Sequence, residues 1–152
     1  MNYRIVIKII LLISWMTLIF CFSSQNSDDS SRVSDGFITK ISKAILRDNY
    51  EKITKSKTYG TTVFIVRKTA HFFIYFVLSI IAFSLYYELF GLDRKTILFT
   101  ILLCFLYSIS DEVHQLFVAG RSCELRDVII DTTSSSVSAA LNYLIRKKFK
   151  KI

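Results

Sequence analysis

The chain has 152 residues, 52% of them apolar, with 20 Lys and Arg against 12 Asp and Glu, four glycines and no proline. The apolar residues come in long blocks separated by short charged stretches, which excludes an ordinary soluble domain built from amphipathic segments and predicts a single membrane domain over residues 1–152. Such unbroken blocks also exclude a barrel of short strands, so the expected fold class is all-α: a polytopic membrane helix bundle of about four transmembrane helices.

The first apolar block covers residues 5–22 and contains Lys8, whose long side chain can snorkel to the near interface. A cleaved secretory leader is the competing reading. The exit Phe20, Cys21, Phe22, Ser23, Ser24 lacks the small-residue spacing of a cleavage site, which favours a retained helix. Residues 23–66 form a polar outer loop that opens with SSQNSDDSS. Within it Val33, Phe37, Ile41 and Ala44/Ile45 recur at helical spacing, as in an amphipathic helix lying on the membrane or a lid over the bundle.

The second block, 70–90, is entered through Arg67 and Lys68 and left through Glu88, with aromatic residues near both ends where rings favour the interface. The polar link 91–95 reverses the chain. The third helix, 96–110, reads on into a polar run, so its last turns are polar. The fourth, 128–145, is the least apolar because it carries Asp131 and Thr132-Thr133-Ser134-Ser135-Ser136. Hydroxyls there can return to the backbone carbonyl one turn earlier, and small side chains let helices approach closely. Three spans plus a surface helix is the alternative count.

Five basic residues stand in the last seven positions, a tail expected to be cytoplasmic (residues 146–152) and in contact with anionic lipid headgroups. Four spans then place both termini in the cytoplasm. The outer loop carries seven Lys or Arg and five acids, but its length weakens its influence on orientation. A basic tail abutting a span is badly placed for nucleic acid, and no nucleic-acid partner is expected. Cys21, Cys104 and Cys123 form neither a disulfide framework nor a zinc pattern.

Antiparallel threading brings together the unusual residues: Ser23, Ser24 and Gln25; Arg67, Lys68 and His71; Ser110, Asp111, Glu112, His114 and Gln115; Gly120, Arg121 and Arg126; Asp127 and Asp131. An ionisable residue at the centre of a span costs about 2.5–3.5 kcal/mol on insertion scales, so such residues are usually paired or functional. Two readings stand open, an ion-pair network that fixes packing and a polar pocket opening to the outer leaflet. His71, Asp111, His114 and Asp131 lack a closed metal-ligand pattern, so no metal and no cofactor are expected. His71, Asp111 and Glu112 are the candidates for acid–base catalysis, with Arg121 able to grip a phosphate or carboxylate. Ser110, Ser122 and Cys123 lie nearby, but none is in an activating context.

The segments FSSQ (22–25), RKTAHFFIYFVLS (67–79) and SDEVHQLFVAGRSCELRDVIIDT (110–132) resemble the VanZ family of bacterial membrane proteins. The resemblance implies a multi-pass protein of the bacterial cytoplasmic membrane, and the founding member is associated with resistance to the glycopeptide teicoplanin. Family motif positions fall on Lys68, His71, Tyr75, Asp111, Glu112, Gln115, Gly120, Arg121, Asp127 and Asp131; all but the glycine are the expected binding residues. Ala119 stands where the family often has proline, and Ser134 and Ser138 stand where glycines are common. The implied function is a contribution to glycopeptide resistance through an outer-face pocket. The expected partners are the lipid bilayer and a lipid-linked cell-wall precursor or the glycopeptide itself. Alternatives are a membrane-embedded enzyme acting on a lipid or lipid-linked headgroup, and a structural envelope protein.

Overall fold

The structure, a computed structural model, describes residues 2–25, 36 and 58–149. Four helices follow in order, α1 (Tyr3–Ser23), α2 (Thr58–Phe90), α3 (Arg94–Gln115) and α4 (Leu125–Phe149), with no strand among the described residues. The amphipathic segment expected around residues 33–45 lies outside the described residues, as do Lys150 and Lys151. At about 1.5 Å per residue even the shortest helix, with 21 residues, reaches across a hydrocarbon layer about 30 Å thick. By length and composition α1, the Phe64–Phe90 part of α2, and α3 qualify to cross a membrane.

Local chemistry sets the ends. Asn2 caps α1 by accepting from the Arg4 N–H, and the Asp93 side chain caps α3 by accepting from the Lys95 N–H at 2.8 Å. Gly91 ends α2 at φ +68°, a left-handed conformation that a side chain would strain. Long-range contacts give the threading. Lys8 meets Glu88 while Trp15 meets Ile74, so α1 and α2 are antiparallel. Tyr107 donates to the Met16 carbonyl and Ser24 meets His114, so α3 runs parallel to α1. Ser108 meets Asp131 while Glu112 meets the Glu124 amide, so α4 returns antiparallel to α3.

An apolar core of Leu12, Ile19, Leu78, Ala82 and Leu85 joins α1 to α2, the buried faces of α3 and α4 are largely polar, and the outer surface is apolar. On α3 the buried stripe Thr96, Thr100, Cys104, Ser108, Glu112 repeats every fourth residue, while Leu98, Leu102, Phe105 and Leu106 face outward. On α4 the buried residues are Asp127, Val128, Asp131, Ser134, Ser135, Ser138 and Ala139, and Leu125, Ile129, Val137, Leu141 and Leu144 are exposed. A helix with little average hydropathy thus presents an apolar outer face.

The serine run does something other than bond back along its own helix. Thr133 and Ser136 donate to carbonyls one turn earlier, as expected. Ser134, Ser135 and Ser138 instead donate across to the α2 carbonyls of Phe72, Tyr75 and Phe76, and Ser79 returns a bond to the Ser135 carbonyl at 2.8 Å. Small side chains allow the two backbones to approach, and the hydroxyls then bridge them.

Lys8 is paired with the end of α2, Glu88 lying at 2.6 Å and the Ser84 carbonyl at 3.0 Å. One further expectation is corrected. The second helix begins at Thr58, not at 70. Arg67 and Lys68 look like a membrane-edge flank, but Lys68 is buried against acids of α4, so the helix has no reason to end there.

The seam makes a prediction. Ser138→Leu should overpack it and destabilise the protein by about 1–3 kcal/mol, whereas Ser138→Ala, losing one bond, should cost about 0.6 kcal/mol. Reversible unfolding in detergent checks the order; a Leu variant as stable as wild type would contradict the seam.

Candidate functional site

The residues singled out in sequence come together at the end of the bundle that carries the 116–124 link. Gly120, at φ +74°, lets the chain turn there, and the Arg121 N–H closes the turn on the Val118 carbonyl at 3.1 Å. The turn sends the Arg121 side chain back into the bundle. Its Nε donates to the Gln25 carbonyl at 3.1 Å and its Nη1 to Gln115 Oε1 at 3.2 Å. The Gln115 amide in turn donates to Glu112 at 3.3 Å and Asp111 at 3.4 Å.

A second group is fully paired. Lys68 Nζ donates to Asp127, which is only 2% exposed, and to Glu124 Oε2 at 3.1 Å. Glu112 Oε2 accepts from the Glu124 backbone N–H at 2.7 Å, placing a carboxylate at the start of α4, where the helix dipole favours negative charge. Glu112 is therefore occupied in joining α3 to α4. Arg126 lies 3.5 Å from Glu124 on the exposed side.

The remaining polar groups are less satisfied. Asp131 takes a bond from Ser108 at 2.8 Å on one oxygen; His71 Nδ1 stands 3.8 Å from the other, beyond hydrogen-bond reach. Among the described residues Asp131 Oδ1, Asp111 Oδ1, Ser23 Oγ, Thr132 Oγ1 and the Tyr75 hydroxyl are buried with no hydrogen-bond partner. Buried polar atoms are rarely left so.

A cleft of about 230 Å³ lies beside them between the end of α1 and α2. Ser23, Arg67, His71, Asp111 and Arg121 line its polar part together with Gln25, and Ile19, Phe22, Val66, Ala70 and Ile74 line its apolar part. Burial, and after it the like charge of Arg67, lowers the Arg121 pKa from its ordinary value, with Asp111, Glu112 and Asp127 acting against the shift. The guanidinium stays charged at any working pH.

Of the sequence-predicted residues, His71, Asp111 and Arg121 line the cleft; Lys68, Glu112 and Asp127 form the paired group; Gln115 joins the two; Tyr75 and Asp131 lie buried next to them. His114 belongs elsewhere, stacked on Phe20 at 4.3 Å and bonded to Ser24 at 3.0 Å. Among the described residues no three His, Cys, Asp or Glu side chains converge in a metal-holding group. Sequence reasoning missed Glu124 and Ser108 as partners. Both were within reach: Glu124 is three residues before Asp127, and Ser108 lies one turn before Asp111 and Glu112.

Fold and site together define a class, small helical membrane proteins with a polar interior and a cleft at one end. Residues 8–146 match the VanZ/LLP1 family, and the chain belongs to it. Searches of curated proteins and of solved structures returned no match.

The paired group carries a stability prediction. Removing Lys68 strands Asp127 without its cation, so Lys68→Met should destabilise the protein by about 3–5 kcal/mol. Lys68→Met with Asp127→Leu should recover most of that loss in the same detergent unfolding assay. A double variant no better than the single one would contradict a buried pair at this position.

Proposed function

We propose that the protein crosses the bacterial cytoplasmic membrane four times with both termini in the cytoplasm, and that its outer-face cleft holds an envelope amphiphile. Through that ligand it contributes to resistance to glycopeptides of the teicoplanin kind. The apolar outer face of α4 supports a fourth crossing, and the basic residues Arg146, Lys147 and Lys148 in its last turn support a cytoplasmic C-terminus.

One observation carries the binding reading. If the cluster served packing alone, its members would all be paired, as Lys68, Glu124 and Asp127 are. Instead Asp111 and Ser23 present buried oxygens with no partner among the described residues where they line the cleft. The size of the cleft, about 230 Å³, favours a small headgroup over an entire antibiotic. The apolar lining suits an adjoining acyl or prenyl chain. A lipid-linked cell-wall precursor or another headgroup of the outer leaflet fits these terms, and occupancy of the cleft would change how a lipophilic glycopeptide inserts nearby.

Teicoplanin susceptibility of a sensitive host with and without the gene tests the reading. Expression should raise the inhibitory concentration severalfold, and Arg121→Ala at equal protein abundance should return it to the host value. Equal inhibitory concentrations with and without the gene would remove the resistance role.

A further inference from the structure

The cleft has a charge pattern that narrows the ligand beyond "amphiphile". Arg67 and Arg121 bring two guanidiniums to it and Asp111 one carboxylate, so with His71 neutral the polar lining carries one net positive charge. Guanidiniums match phosphate oxygens with paired N–H donors. Arg121 spends Nε and Nη1 on Gln25 and Gln115, and its Nη2 makes no hydrogen bond among the described residues.

A phosphate alone does not complete the site. Asp111 is only 4% exposed, its Oδ1 has no partner among the described residues, and an anion placed against it would be repelled. What Asp111 Oδ1 lacks is a donor. Ser23 Oγ, in the same lining and near enough to turn its hydroxyl toward Asp111, can donate to it or accept from a ligand. Satisfying all of these groups at once takes a headgroup with one negative charge and a hydroxyl a few bonds away. A phosphomonoester, carrying about −1.5 to −2 at pH 7, exceeds the single net charge available.

We propose that the cleft recognises a phosphodiester headgroup bearing a free hydroxyl, with the phosphate held between Arg67 and Arg121 and the hydroxyl donated to Asp111. Glycerol and sugar phosphodiesters of membrane lipids have this chemistry. The lipid tail leaves along Ile19, Val66, Ala70 and Ile74, between α1 and α2. This assignment rests on the binding reading above and adds the headgroup to it.

The chain supplies its own probe. Trp15 is its single tryptophan, and its indole N–H donates to the carbonyl of Ile74, a lining residue, at 3.0 Å. Purified full-length protein in phosphatidylcholine nanodiscs is titrated with lipids brominated on the acyl chain, and Trp15 quenching is read. Phosphatidylglycerol should quench at about tenfold lower mole fraction than brominated phosphatidylcholine and at several-fold lower mole fraction than phosphatidylethanol, a phosphodiester without the hydroxyl. Asp111→Asn should abolish the preference for phosphatidylglycerol over phosphatidylethanol and leave the preference for anionic lipid. Arg121→Ala should abolish the anionic preference, and Arg121→Lys should fall between. The wild-type comparison needs no variant, so misfolding of any one of them leaves the test intact. Relief of quenching by millimolar glycerophosphoglycerol, a soluble phosphodiester with free hydroxyls, would identify a soluble ester as an alternative source of the same headgroup; no relief would confine recognition to lipid. Equal quenching by phosphatidylglycerol and phosphatidylethanol overturns the hydroxyl assignment while leaving amphiphile binding in place. Equal quenching by all three lipids overturns both.

Discussion

Lipid tails are as apolar as leucine, so burying apolar surface does not hold helices together inside a bilayer; close packing and polar contacts must. In this protein the contact that does most is the parallel seam between α2 and α4. Ser134, Ser135 and Ser138 donate to carbonyls of α2, and Ser79 donates back to α4. Each bond fixes a side chain to a backbone atom, so the seam sets register along the helix axis as well as proximity. With that register in place Lys68 falls opposite Asp127, and His71 faces Asp131. A slip of one turn would separate both pairs and strand buried charge. Ser134 and Ser138 are small residues on this seam. They keep the close approach that glycine permits and add hydrogen bonds to it.

The polar end then divides into two parts with different physics. Lys68, Glu124, Asp127 and Glu112 satisfy one another and anchor the start of α4 to α2 and α3. A buried ion pair seldom adds net stability, but breaking one is expensive, so this group makes the register hard to abandon. Beside it Asp111, Ser23, Tyr75 and Asp131 have buried oxygens with no partner among the described residues. The saturated half provides rigidity, and the unsaturated half is where a ligand can compete with water for partners. Arg121 belongs to both, tied through Gln115 to the acids of α3 and facing the cleft.

Much of this was legible in the sequence. The apolar blocks give the helices, and the run from Ser110 to Asp131 concentrates acids and arginines where a membrane protein can least tolerate them unpaired. What was not legible follows from particular residues. Arg67 and Lys68 carry the composition of an interfacial flank, and only the acids of a distant helix make Lys68 an interior residue. Lys8 is ambiguous in the same way until Glu88 is placed beside it. The serine run permits bonds along its own helix or across to another, and the choice depends on whether a neighbouring backbone is near. Ile19, Val66 and Ile74 line the cleft, yet in sequence they are indistinguishable from residues that face lipid. Tyr75 sits in an aromatic-rich block that suggests the interface, and burial puts it in the interior.

The α2–α4 register is open to one direct measurement. With Cys21, Cys104 and Cys123 replaced by serine, Ser79→Cys and Ser135→Cys are combined and the protein is mildly oxidised in membranes. The Ser79 hydroxyl reaches the Ser135 carbonyl at 2.8 Å, which puts the two positions side by side across the seam, and the account predicts intramolecular cross-linking. A Ser79→Cys partner displaced from 135 by more than one turn, at Ile130 or Asn142, should stay reduced. Cross-linking at a displaced position with none at 135 would contradict the register, and with it the shared site.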